Sequence, residues 1–275
     1  MSIGELETLT ARRSSTGLVI ARVWREFGPP ILLTVLIIGG WEAVMRIFRV
    51  SEILVPRPSS ILHALIDRSD ILIDASRTTL LVIFYGFVAS AVIGIALALA
   101  LVRLPWLYRA TYPLIVLFQT VPKVALAPIF VIWFGYLLLP KVLLIIVISF
   151  FPITLNLITG LRSVDPNLLL LMRSVGCSST ETLARVMMPS ALPHLFAGLK
   201  IAVTFAVIGA IVAEFAGANR GIGYLIQFAS SQLDTALMFA ALLVVSAMGV
   251  VLYYGLVLIE YFAIPWAVGI GARDI

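Results

Sequence analysis

The chain has 275 residues, 61% apolar and 12% charged, with a formal net charge of +5. Ordinary soluble domains carry about 25% charged residues, so a chain this apolar is matched to lipid rather than water. The 19 basic residues are scattered between apolar runs and form no patch. That excludes a nucleic-acid surface and leaves them as flanking charges that orient spans.

Residues 1–28 carry Arg12, Arg13, Arg22 and Arg25 and are expected to form a cytoplasmic tail. The apolar run that follows passes any small-residue cleavage site and reaches Trp41 and Met45, which predicts a retained first span over Pro29–Met45 rather than a signal peptide. Glu42 stands four residues before Arg46, the spacing of a helix-surface pair. An outer segment near 51–77 precedes a second span over Thr78–Val102, which has no charge. About 20 apolar residues cross the hydrocarbon core. Ala110–Pro140 is longer than that but is interrupted by Pro113, Pro122, Lys123 and Pro128. Two spans with a turn do not fit there. The segment reads as one span with a broken middle, its freed backbone groups buried in protein or lining a cavity. Val142–Leu161, Leu195–Ala213 and Thr235–Ile259 complete six spans, with a large inner loop near 162–194, an outer loop near 218–234 and a tail at 266–275.

With both termini inside, Arg12, Arg13, Arg22, Arg25, Arg103, Arg109, Arg162, Arg173, Arg185, Lys200 and Arg273 are cytoplasmic, 11 in all. Arg46, Arg49, Arg57, Arg68, Arg77, Lys141 and Arg220 then lie outside, which is 7, so the basic residues favour N-in and C-in. The expected fold class is all-α, a polytopic membrane protein with its permease domain over 29–265.

The inner loop carries the most specific signals. Asp165-Pro166 reads as an N-cap followed by proline at the first helical position. A short apolar helix through Leu168–Val175 ends at Gly176, where a left-handed residue is expected. Ser178-Ser179-Thr180-Glu181 matches a capping box. The second helix is expected to run to about Met188 and stop at Pro189. Two short helices at a fixed elbow, in a loop this apolar, make a docking surface for a partner.

The spacing resembles the cytoplasmic signature of ABC importer permeases: Glu-Ala-Ala, three residues, Gly, nine residues, then Ile-x-Leu-Pro. Here Leu170-Leu171-Met172 is followed by three residues and Gly176, then nine more and Val186-Met187-Met188-Pro189. The family glutamate is replaced by Leu170, so an apolar contact stands where a polar one is expected. Leu54-Val55-Pro56-Arg57-Pro58-Ser59, Pro189–Lys200, Ala213-Glu214-Phe215 and Gly221–Ile226 resemble permeases of the nitrate/sulfonate/taurine group. Thr120–Gly135 and Gln232-Leu233-Asp234-Thr235 are most similar to its thiamine-pyrimidine-precursor branch. The resemblance implies a type I ABC importer permease fold in the cell inner membrane. It also implies ATPase subunits, an extracytoplasmic substrate-binding protein and a second permease copy as partners. It implies, too, a small solute of sulfonate, nitrate or taurine type, or a thiamine-pyrimidine-type heterocycle. Asp165, Leu170, Leu171, Met172, Gly176, Glu181 and Pro189 are then the ATPase-coupling residues.

No phosphate-binding loop is present. Lys123, Lys141 and Lys200 follow Pro122, Pro140 and Leu199, and Gly-Lys-[Ser/Thr] does not occur. ATP and Mg are therefore expected on the partner, with no cofactor in this chain. His63, His194 and the single Cys177 are dispersed and offer no metal set or disulfide.

Lys123 lies mid-span, where a charge costs about 2.5–3.5 kcal/mol and faces a cavity or a partner. It is read either as a polar group on the translocation path or as a snorkelling or carboxylate-paired lysine. Glu214 is read as an ion-pair partner or cap, or as a gate residue. Gln119, Asn156 and Gln227 either line a path or bond helices together. Trp24, Trp106 and Trp266 fit the interfacial aromatic belt. A secondary transporter or channel is the alternative, and would carry its own coupling ions. An intramembrane enzyme would need paired carboxylates, His-Glu-x-x-His or Gly-x-Ser-x-Gly, none of which occurs.

Overall fold

Long apolar runs in lipid must satisfy their backbone groups internally, and they do so here as helices. The computed structural model describes residues 28–267. The basic residues of the N-terminal tail, Trp24, Arg273 and nearly all of both expected tails lie outside the described residues. In chain order the helices are α1 (Gly28–Ile47), α2 (Pro58–Asp67), α3 (Ser69–Arg103), α4 (Pro105–Thr120), α5 (Leu126–Phe134), α6 (Leu138–Arg162) and α7 (Pro166–Ser174). After them come α8 (Ser179–Thr182), α9 (Met188–Gly217), α10 (Ile222–Ser231) and α11 (Thr235–Ala263). Five helical stretches are long and apolar enough to cross a membrane: α1, α3, α6, Ser179–Gly217 and α11. α4 and Lys123–Phe134 are bent by 76° and make the sixth span if taken together.

The break is where the prolines place it. Val121 is extended, and Lys123–Ala125 forms a single 3₁₀ turn after Pro122. α5 ends at Gly135, whose φ of +79° stops the helix. α6 then begins at Leu138, four residues before the apolar run alone indicates.

α3, α6 and α9 form the centre, with α6 in the middle. Their backbones approach closely because the contact positions are small. A Cβ at Gly94 of α3 would lie 2.9 Å from the Phe150 carbonyl oxygen, and one at Gly198 of α9 would lie 2.9 Å from that of Pro152. Thr154 Oγ1 donates across this seam to the Gly94 carbonyl at 3.1 Å. One buried cluster joins Leu101, Ile115, Ile153, Leu157, Leu161, Leu183 and Leu195. A second, with Ile61, Leu72, Ile222, Leu225, Ile226 and Leu237, gathers α2, α10 and the start of α11 at the opposite end.

Two elements depart from the sequence reading. The helix expected to stop at Pro189 continues: α8 passes through a π turn at Leu183–Met187 into α9. Proline in a helix collides with the carbonyl four residues back, here Arg185. The wider π turn falls on that residue and makes room for the ring. The outer loop near 218–234 contains α10, which buries Ile222, Leu225, Ile226 and Ala229 on one face. Those positions follow helical spacing, but the segment is too short to stand out beside the spans.

Candidate functional site

The loop between α6 and α9 is built by its caps. Asp165 Oδ1 accepts from the Asn167 amide at 2.8 Å, and Pro166 occupies the first turn of α7. At the far end the Gly176 amide donates to the Arg173 carbonyl and the Cys177 amide to the Met172 carbonyl, both at 3.0 Å. This is a Schellman stop, with Gly176 at φ +79°. The second cap follows at once: the Glu181 amide donates to Ser178 Oγ at 3.2 Å, and the Ser178 amide donates back to Glu181 Oε2 at 2.9 Å. The chain turns over Gly176-Cys177 because both ends are capped within two residues of one another.

The two arms of this elbow differ. Leu183 is buried in the central cluster with Leu161 and Leu195, so the second arm is anchored. α7 buries no residue. Leu168, Leu170, Leu171 and Val175 are all exposed, and Met172 is half-buried. An apolar face outside the spans, which none of the described residues covers, has the character of a docking surface.

The second feature sits at the break in the third span. A cleft of about 270 Å³ is lined by Leu97, Ile115, Phe118, Gln119, Lys123 and Phe151, with Leu114, Val147 and Phe150 completing it. Two residues singled out from sequence, Gln119 and Lys123, are thus brought together. Lys123 Nζ lies 5.7 Å from the Phe151 ring centre, over its face. Among the described residues no carboxylate reaches Lys123 within salt-bridge distance; the ion pairs are Arg46–Glu42, Arg57–Glu52, Arg68–Asp234, Arg185–Glu181 and Lys200–Glu260. The break supplies the position and the aromatic walls supply the attraction.

Glu214 lies elsewhere, fully enclosed between α3, α9 and α10. Thr79 Oγ1 donates to its carboxylate at 2.9 Å, and the Gly223 amide donates to Oε2 at 2.6 Å. The Ile222 amide donates to Thr79 Oγ1 at 2.8 Å. The carboxylate and Thr79 together satisfy the first amides of α10, the groups a helix start leaves without partners. Buried Lys141 of α6 adds a favourable charge nearby. The glycines around it are required by space. A Cβ at Gly221 (φ +114°) would lie 2.2 Å from Glu214 Oε1, and one at Gly223 would lie 2.7 Å from Glu214 Cβ. The sequence pair Ala213-Glu214-Phe215 and Gly221-Ile222-Gly223 is therefore one structural unit, whose other half, Thr79, is 135 residues away. Composition carries no signal for that partner.

Of the other polar candidates, Asn156 Nδ2 donates within its own helix to the Pro152 carbonyl at 2.8 Å. Gln227 lines a separate shallow cleft with Phe215, Ile226, Ser230 and Met238. Glu42 pairs with Arg46 at 2.7 Å as its spacing indicates. It also accepts from the Ser59 amide at 3.1 Å, tying α1 to the start of α2.

A polytopic helical bundle, with an apolar-walled cleft at a broken span and an exposed apolar elbow at one end, has the form of a membrane permease. The chain belongs to the binding-protein-dependent transport system inner membrane components, which match it over residues 90–262, and is a permease subunit of an ABC importer. It is 37% identical to the formylaminopyrimidine transport permease ThiX of Halalkalibacterium halodurans, over 86% of this chain and 95% of that protein. Identity is 31% with the riboflavin transport permease RibX of Chloroflexus aurantiacus, over 88% and 91%. With the taurine transport permease TauC of Escherichia coli it is 29%, over 86% of each. Among solved structures the fold is similar to the inward-facing MetNI methionine ABC transporter, with a TM-score of 0.61 and 18% identity, covering 72% of this chain and 97% of that one.

Proposed function

We propose that this permease passes a small planar heterocyclic solute along a path beside the Lys123 cleft, and that its elbow receives a separate ATPase. The observation that carries the path is that Lys123, which no carboxylate among the described residues reaches, lines one cleft with Gln119, Phe118, Phe150 and Phe151. A charge at membrane depth persists where it meets a cavity, and phenylalanine faces suit a flat ring. The heterocycle is supported by the identity to the formylaminopyrimidine permease, which exceeds that to the taurine permease. A taurine- or sulfonate-like anion is the second reading, favoured by the lysine charge itself.

The elbow reading rests on the exposed Leu170 and Leu171 between two firm caps. Asp165, Gly176 and Glu181 shape that surface; Leu170, Leu171 and Met172 furnish its apolar contact; Pro189 continues it into the span. ATP and Mg reside on the ATPase, the solute arrives on an extracytoplasmic binding protein, and no cofactor belongs to this chain. Two copies related by a two-fold axis give each ATPase one elbow. The elbow end, and with it both termini, faces the cytoplasm. Glu214, enclosed as it is, holds α10 rather than contacting solute.

The test is uptake by the complete transporter in vesicles, with labelled pyrimidine and labelled taurine in competition. Lys123→Ala is expected to lower uptake while leaving insertion and ATPase association intact. Unchanged uptake removes the path, and a complex with one permease copy or two different permeases removes the homodimer.

A further inference from the structure

α4 carries Gln119 and leads into Lys123, yet the bundle holds it lightly. Trp106, Leu114 and Leu117 are more than 60% exposed, and Ile115 is its one buried hydrophobic side chain among the described residues. At its inner end a specific contact intervenes. The Arg162 guanidinium lies over the Tyr108 ring, with Cζ 3.7 Å from the ring centre. Arg162 is the last residue of α6 and stands three residues before Asp165, the cap of α7. Tyr108 and Leu107 also pack on the cluster that contains Leu161 and, from the second arm of the elbow, Leu183. The elbow and the cleft-bearing helix therefore meet at one place.

We propose that the Arg162–Tyr108 stack is the joint through which movement of the elbow displaces α4 and so opens or closes the cleft at Lys123. The inference rests on the reading of the elbow as the ATPase dock and of the cleft as part of the path. Tyr108 lies 11 residues before Gln119, so a displacement at the joint acts along about 16 Å of helix. Planarity is what the contact uses: a guanidinium stacks on a ring face in a way an ammonium does not. A topological role for Arg162, as one more cytoplasmic cation, requires only charge. The two roles separate on Arg162→Lys.

The experiment uses the complete transporter in vesicles, in a Cys177→Ser background with Thr120→Cys as reporter on the exposed side of α4. Labelling of the reporter thiol is followed with and without vanadate trapping of the ATPase, alongside ATP hydrolysed per solute imported. Trapping is expected to change labelling in the reporter protein and in Tyr108→Phe. In Tyr108→Leu and in Arg162→Lys it should not. In those two variants ATP consumed per solute rises about two- to fivefold, the factor such a contact supplies, and the double variant is no worse than either single one. Normal coupling in Arg162→Lys, additive losses in the double variant, or loss of ATPase association in Tyr108→Leu each overturns the joint. Failure of the underlying reading looks different. Lys123→Ala with normal uptake removes the cleft from the path while the Tyr108 dependence of labelling stands.

Discussion

Replacing Gly176 by valine isolates the contribution of one backbone conformation. Gly176 has φ +79°, and an added Cβ would meet nothing within 4 Å, so the cost is conformational and not a collision. A β-branched residue in the left-handed region is strained by about 1–2 kcal/mol or more. Relaxing to negative φ instead forfeits the bonds from the Gly176 and Cys177 amides, each worth about 0.5–1.5 kcal/mol. By either route the native elbow loses about 2 kcal/mol, which lowers its ratio to competing conformations by a factor on the order of 30. The core seam α3–α6–α9 lies elsewhere, so insertion should be retained. The apparent Kd of the ATPase for permease in nanodiscs should then rise, by up to roughly 30-fold. Gly176→Asn, a residue that enters the left-handed region readily, should stay near the parent. Gly176→Ala should fall between them. ATPase affinity unchanged in Gly176→Val, or an order that does not follow left-handed tolerance, would refute the claim that this conformation sets the docking face.

Leu170→Glu restores the family residue on an exposed position; uptake per ATP is expected to be retained, and its loss would show that the ATPase presents an apolar groove intolerant of charge. Glu214→Ala strands the Gly223 amide in a buried site, while the Thr79 hydroxyl keeps the Ala75 carbonyl as acceptor, costing about 1–3 kcal/mol. Glu214→Gln keeps an acceptor for Gly223, so the thermal midpoint in detergent should fall further for alanine than for glutamine. Gly198→Leu drives a side chain into the Pro152 carbonyl and Asn156, with about 1–3 kcal/mol of overpacking. A reduced yield of folded permease after extraction is the readout, and full yield would mean that α9 can withdraw from α6.

The spans, the caps of the elbow and the left-handed Gly176 are legible along the chain because each depends on near neighbours. Lipid demands a continuous apolar run, and a cap needs an acceptor within three residues of the amide it serves. Asp165, Gly176, Ser178 and Glu181 meet that local condition, and the structure places them as their spacing requires. Pro122 likewise marks the break that places Lys123 between α4 and α5. What followed Pro189 was decided differently. Proline's local preference to end a helix is overridden when Leu183 on one side and Leu195 on the other are drawn into the same cluster, and a π turn absorbs the conflict. Only the tertiary structure assigns Thr79 to Glu214, folds α10 back against α3 and α9, and sets Lys123 over Phe151. These are contacts between residues tens to more than a hundred positions apart, set by how the central helices pack, and packing partners across such distances leave no periodic trace in one sequence.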